Sequence, residues 1–256
     1  MTDAPKEALV VQELSKAFGG VQAVDNVSFS VGAGKLLAMI GPNGAGKTTC
    51  FNMLNGQLKP DSGSVILEGR SLIGMTPREV WRLGVGRTFQ ITETFGSMTV
   101  LENIQMTLLS YHRRALSAGA LVRDLYVEDA MALLDRVGMA DQAERACSIL
   151  AYGDLKRVEL AVALGNDPKL LLMDEPTAGM APRERIELMQ LTADIVRERN
   201  ISVLFTEHDM DVVFAHADSV IVLNRGQRIA EGTPDEVRND PQVQEIYLGS
   251  GATYAA

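Results

Sequence analysis

Two short segments of this 256-residue chain carry the residue types that phosphate chemistry needs. The first, Gly41-Pro42-Asn43-Gly44-Ala45-Gly46-Lys47-Thr48, fits G-x-x-x-x-G-K-[ST] at every position. Glycines let backbone N–H groups converge on an anion without Cβ clashes. A helix beginning at the end of the loop adds its own orphan N–H groups and about half a positive charge. Lys47 supplies a mobile cation for the β- and γ-phosphates, and the Thr48 hydroxyl can ligate Mg²⁺. The second segment is Lys169-Leu170-Leu171-Leu172-Met173-Asp174-Glu175, an apolar run ending in two carboxylates. Behind a phosphate loop, an Asp here completes the binding of Mg²⁺ through water, and a second carboxylate can polarise a water for attack on the γ-phosphate.

These residues need strands and helices to hold them. Lys35 to Ile40, Leu170 to Met173, Ile201 to Phe205 and Ser219 to Leu223 are near-continuous apolar runs, as expected of strands covered on both faces. They alternate with helical stretches, which predicts an α/β fold with a mainly parallel sheet. The first of them runs into the phosphate loop, and Thr49 to Leu54 continues as a helix, so the loop has the strand–loop–helix setting its chemistry demands. Leu9 to Leu14 and Ala23 to Val31 read as two further strands joined by a turn at Phe18-Gly19-Gly20; Val27, Phe29 and Val31 alternate with serines, which fits a half-buried antiparallel pair. Thr76-Pro77-Arg78-Glu79 and Thr233-Pro234-Asp235-Glu236 are helix starts with Thr at the cap, Pro at the first position and Glu at the third, and Thr99-Val100-Leu101-Glu102 repeats the box without proline. From about Thr94 to Leu150 the periodicity is helical: Ala130, Leu133, Leu134 and Val137 fall on one face, and Gly138 can end that helix.

Composition narrows the function. The chain has 24 Lys and Arg against 33 Asp and Glu, a formal charge of −9, with no notable basic cluster, which argues against a nucleic-acid partner. No run of about 18 uncharged apolar residues predicts a membrane span, and the N-terminus lacks the apolar core of a signal peptide. Cys50 and Cys147 are too few for a disulfide framework or a cysteine-rich metal site. The negative charge does not forbid a nucleotide, because Lys47, Mg²⁺ and the helix end act at contact distance while carboxylates more than about 10 Å away are screened.

Taken in order, the motifs resemble those of the ATP-binding subunits of ABC transporters. After GPNGAGKTT come Gln90 in Arg87-Thr88-Phe89-Gln90, similar to the family's Q-loop; Leu150-Ala151-Tyr152-Gly153-Asp154, similar to its LSGGQ signature; Ala178-Gly179-Met180-Ala181-Pro182 at the D-loop position; and Thr206-Glu207-His208-Asp209 at the switch histidine. The resemblance runs from about Leu9 to Gly249. It implies a phosphate-loop NTPase core at 1–93 and 151–256 with an N-terminal antiparallel β subdomain, interrupted by a helical subdomain at 94–150. It implies that two such chains, identical or different, pack head to tail around two ATP molecules. Phe18, with Val24 beside it, would stack on adenine. Asn43, Gly44, Ala45, Gly46, Lys47, Thr48 and Thr49 would hold the phosphates. Thr48, Gln90 and Asp174 would serve Mg²⁺, with Glu175 as the base and His208 toward the γ-phosphate. Ala151, Gly153 and Asp154 would face the partner's nucleotide.

LAYG followed by Leu155-Lys156-Arg157-Val158-Glu159, together with Leu14-Ser15-Lys16-Ala17-Phe18-Gly19-Gly20-Val21, Gly86-Arg87-Thr88-Phe89-Gln90 and the tail Glu231-Gly232-Thr233-Pro234, resembles the ATPase subunits of high-affinity branched-chain amino acid importers. That implies permease subunits in the membrane, a second ATP-binding subunit, a periplasmic or extracellular substrate-binding protein, and a place on the cytoplasmic face of the cell membrane. Motors for urea, amide or lipopolysaccharide transport are alternatives, since such a subunit does not touch cargo. A soluble ABC ATPase of DNA repair or the ribosome would need a coiled coil, a fused second ATPase or a basic surface, and none is evident. A catalytically silent regulator is disfavoured by the presence of Lys47, Asp174, Glu175 and His208.

Overall fold

The structure, a computed structural model, describes residues 7–88, 94–112 and 124–249. Its centre is a six-stranded sheet. β3 (Leu36–Ile40), β6 (Val85–Thr88), β7 (Leu170–Asp174), β8 (Ser202–Thr206), β9 (Ser219–Asn224) and β10 (Gln227–Gly232) stand in the order β10-β9-β3-β8-β7-β6. Five of them run parallel, and β10 closes one edge as an antiparallel hairpin partner of β9. The continuous apolar runs have a simple cause. Along β3, Leu36, Ala38 and Ile40 enter one core while Leu37 and Met39 enter another, on the opposite face. β7, β8 and β9 divide their side chains between the same two cores, so no face of the sheet is left for polar residues.

The second core is covered by a four-stranded antiparallel sheet of order β2-β1-β4-β5, built from β1 (Glu7–Phe18), β2 (Val21–Gly32), β4 (Ser62–Leu67) and β5 (Arg70–Ser71). The hairpin turn is shorter than the composition suggests. Phe18 is still paired with Val21, and only Gly19 and Gly20 turn, both at positive φ (52° and 87°). The helix α1 (Lys47–Leu54) lies between this sheet and the central one, burying Cys50, Phe51, Met53 and Leu54. Burial pushes the Cys50 thiol up to about 12, so it packs as an apolar group.

The other face of the central sheet carries helices. α3 (Val100–Tyr111), α4 (Val127–Arg136) and α5 (Tyr152–Leu164) pack on one another there, whereas α2 (Pro77–Arg82), which precedes β6, buries Val80 in the second core. α6 (Pro182–Arg199), α7 (Met210–His216), α8 (Pro234–Arg238) and α9 (Pro241–Gly249) complete the layer. The capping boxes at Thr76, Thr99 and Thr233 are all present. In the Thr99 box, Thr99 Oγ1 accepts from the Glu102 N–H at 3.1 Å, and Glu102 Oε2 accepts from the Thr99 N–H at 2.8 Å. Replacing Thr99 with Ala removes the cap and lowers stability by about 1 kcal/mol, measurable as a lower urea midpoint at unchanged slope; an unmoved midpoint refutes the capping role. No strand interrupts 94–150 among the described residues; a single bridge joins Thr99 to Ala146. Four strands went unread in the sequence. β10 is a polar edge, β6 holds Gly86 and Arg87 within four residues, β4 starts on Ser62-Gly63-Ser64, and β5 has two residues.

Candidate active site

The parallel strands β3, β7 and β8 all end on the same side, the side on which open α/β sheets bind ligands. From β3 the chain passes through Gly41–Gly46 into α1. Gly46 caps α1 at φ 104°, and a Cβ there would lie 2.5 Å from the Ala23 carbonyl oxygen, so only glycine lets the loop pass this close to β2. Gly44 also has positive φ (79°) but faces open space. No side chain caps α1. Its first N–H groups are therefore free of the usual competitor for an incoming anion, and the loop fits a phosphate. Asn43, Gly44 and Thr48 are exposed, Thr49 is half-buried and Ala45 is buried.

Lys47 lies under the loop, 7% exposed. Its ammonium donates to the carbonyl oxygens of Gly41 (2.6 Å) and Pro42 (3.3 Å). Burial pulls its pKa down, and the carboxylates of Glu175 and Asp174 oppose that shift. Those carboxylates stand at the end of β7 beside the end of β8. Asp174 Oδ1 accepts from the Thr206 hydroxyl at 2.8 Å, and its Oδ2 lies 3.7 Å from Nη2 of Arg87. Arg87 also donates to Asn52 and Gln57 at 3.0 Å each, which ties β6 to α1 and to the turn after it. The Glu175 N–H reaches both the carbonyl (3.2 Å) and the hydroxyl (3.0 Å) of Thr206. Glu175 itself sits at φ 49°, a left-handed conformation that costs a non-glycine residue about 1–3 kcal/mol and persists only where its surroundings enforce it. Glu175 Oε1 is 2.9 Å from His208 Nε2. His208 directly precedes the N-cap of α7, where Asp209 Oδ1 accepts from the N–H groups of Asp211 and Val212. Asp209 thereby fixes the chain just after the histidine.

Lys47, Asp174, Glu175 and His208 thus share one site. The donor set also suits Mg²⁺. Among the described residues no group of three or more His, Cys, Asp or Glu is placed to hold a metal ion by itself, and Mg²⁺ is held by one or two carboxylates together with phosphate oxygens and waters. Asp174 and the exposed Thr48 meet that requirement, whereas a tetrahedral zinc cage would not form here. Gln90 lies outside the described residues.

Other residues named from the sequence sit differently. Phe18 is 49% exposed, with the Lys16 ammonium 5.7 Å from its ring centroid, and offers a face to a planar ligand. Val24 does not join it: it is fully buried, packed beneath the phosphate loop near Gly46. Asn26, at φ 51°, breaks the alternation of β2, so Val24, three residues before Val27, falls in the inward set with Val27, Phe29 and Val31. Ala151 caps α5 without a side-chain bond, and Gly153 and Asp154 lie in its first turn. Among the described residues no hydrogen bond or ion pair joins these three to the phosphate loop. Gly153 packs instead against α6, where a Cβ would meet the Glu184 carboxylate at 3.2 Å. Thr206, Arg87 and Glu207 are parts of the site that reading the residues singly does not reveal. All three lie inside recognised motifs, and only side-chain pairing marks them.

Comparison with known proteins follows the geometry. Residues 24–178, which include the phosphate loop and the carboxylate pair, match the ABC transporter family model. Residues 227–253 match that of the branched-chain amino acid ATP-binding cassette transporter. The high-affinity branched-chain amino acid transport ATP-binding protein LivG of Salmonella typhimurium is 40% identical over 94% of this chain and 97% of its own. BraF of Pseudomonas aeruginosa, of the same description, is 38% identical over 94% and 97%. The ADP conformation of an ATP-binding cassette of an ABC transporter superposes with a TM-score of 0.85 at 34% identity, covering 95% of this chain and 99% of that one. The chain belongs to the ABC transporter family of ATP-binding proteins, in its branched-chain amino acid transport branch.

Proposed function

We propose that this chain is the ATP-hydrolysing motor of an importer for branched-chain or related amino acids, working from the cytoplasmic face of the membrane. The observation that carries the chemistry is the convergence of Lys47, Asp174, Glu175 and His208 at the open end of one sheet. The full-length likeness to LivG and BraF carries the cargo class. Among the described residues no helix is long and apolar enough to cross a membrane. In this reading the path for cargo belongs to separate permease subunits. A second ATP-binding subunit and a substrate-binding protein complete the assembly.

In this reading the amides of Asn43 to Thr49 and the Lys47 ammonium bind the triphosphate, with Phe18 against the adenine. Thr48, Asp174 and Gln90 would hold Mg²⁺, which when bound neutralises phosphate charge. Glu175 accepts the proton of the attacking water, and His208 steadies Glu175 and faces the γ-phosphate. Ala151, Gly153 and Asp154, at the start of α5, close the nucleotide site of a head-to-tail partner. The γ-phosphate supplies the contact that differs between closed and open dimers, and hydrolysis removes it. The helical insertion at 94–150 moves against 1–93 and 151–256 and passes the change to the permease.

The cargo is testable directly. Purified with its co-encoded subunits and reconstituted in vesicles, the complex should take up labelled leucine, isoleucine or valine only when ATP is supplied on the side bearing this chain. ATP-driven uptake of urea or short amides with none of leucine would overturn the cargo assignment and leave the motor intact.

A further inference from the structure

Glu207 stands between two residues with evident tasks, Thr206 and His208, and has none assigned. It is a carboxylate only 4% exposed, and among the described residues no cation pairs with it. Burial pushes its proton affinity up, Glu175 adds to that, and hydrogen bonds oppose it. An interior acid without a counter-ion is costly, so its presence calls for a physical reason. The bonds supply one. Oε1 accepts from both the backbone N–H (2.8 Å) and the hydroxyl (2.7 Å) of Thr177. Oε2 accepts from the His208 N–H at 3.3 Å.

Thr177 is separated from Glu175 only by Pro176, whose ring fixes its own φ. Any drift of Thr177 is therefore transmitted to Glu175, which already sits at φ 49°. Three successive residues at the end of β8, Thr206 to His208, grip the turn after β7. Thr206 binds the Glu175 N–H and the Asp174 carboxylate, Glu207 binds Thr177, and His208 meets the Glu175 carboxylate. Thr206 secures the strand side of the turn. Besides Glu207, the far side is held by the bonds Ala178 N–H to Glu175 carbonyl (3.1 Å), Met180 N–H to Thr177 carbonyl (3.1 Å) and Arg185 Nε–H to Met180 carbonyl (2.8 Å), and none of these three comes from the end of β8.

We propose that Glu207 is a positioning residue, which locks Thr177 and so holds the strained Glu175 where its carboxylate meets both His208 and the attacking water. This rests on Glu175 being the base. Buried and bonded to Thr177, Glu207 acts through Thr177 and not on the reacting atoms.

The test uses the full chain with its co-purifying subunits, in Glu207→Gln, Glu207→Ala, Thr177→Val and the Glu207→Ala/Thr177→Val double variant. An amide oxygen still accepts both Thr177 donors, so Glu207→Gln keeps kcat within about threefold. Glu207→Ala lowers kcat about 30- to 100-fold with KM for ATP within about twofold, because a misplaced base costs chemistry while the phosphate loop is untouched. Thr177→Val lowers kcat about fivefold, and the double variant is no worse than Glu207→Ala by more than about twofold, because both changes break one latch. A merely structural role would lower kcat only in proportion to the fraction of chain that binds ATP, and would leave the two losses additive. Either result overturns the proposal, as does Glu207→Gln falling as low as Glu207→Ala. If Glu207→Ala does not bind nucleotide, Thr177→Val decides: wild-type kcat there refutes the latch. Glu175→Gln is run alongside. Retained turnover in that variant removes the base itself, whereas lost turnover there with wild-type rates in the Glu207 and Thr177 variants removes only the latch.

Discussion

Glu175→Gln lowers steady-state ATP turnover by about 10²- to 10⁴-fold, the scale of a lost general base, while leaving ATP affinity within about threefold. The substitution keeps size and shape. The amide can still meet His208 Nε2, which lies 2.9 Å from Glu175 Oε1, and the backbone bonds to Thr206 are unaffected. What it loses is the capacity to take a proton from water. Binding energy that normally leads to hydrolysis is then retained, so the variant accumulates an ATP-bound closed dimer, visible as a stable higher-mass species by size exclusion with ATP and Mg²⁺. Phosphate release at a near-normal rate would show that another group is the base, and the site as described would need a different centre.

Lys47→Ala weakens ATP binding by about 10- to 150-fold, the equivalent of about 1.5–3 kcal/mol for charge-assisted hydrogen bonds to phosphate. The ammonium is buried against the Gly41 and Pro42 carbonyls with Asp174 and Glu175 in its field. It is thus a cation kept at low hydration, where an added anion gains most from it. The fold itself does not depend on it. Pro42 still accepts the Ala45 N–H at 3.1 Å, and α1 stays anchored through Phe51 and Leu54. Calorimetric titration with ATP reads the effect. Undiminished affinity in a correctly folded variant would contradict the role given to Lys47.

Much of this molecule was legible before any coordinates. The phosphate loop, the carboxylate pair and the capping boxes depend on neighbours within a few residues, where the covalent chain itself sets the geometry. Thr99 and Glu102 must meet if a helix starts there, and Gly46 must admit a left-handed turn if strand is to become helix. The unbroken apolar runs also matched strands with two covered faces, and all five side chains of Leu36 to Ile40 are buried in β3.

Tertiary structure decided the rest. Val24 was paired with Phe18 on the family resemblance, yet the irregularity of β2 at Asn26 and the cover of α1 send it into the interior, and Phe18 keeps an exposed ring. β6 and β10 owe their strand state to partners rather than composition, because backbone pairing with β7 and β9 stabilises residues that have weak preferences of their own. Glu207 is the sharpest case. Its bond to Thr177 spans 30 residues of chain, and nothing in either residue type announces the other. Local spacing picks out the groups proposed to do chemistry, since a motif is a short-range pattern. Which groups hold them in place depended on how parallel strands are ordered in the sheet, a long-range outcome of burying two apolar faces at once.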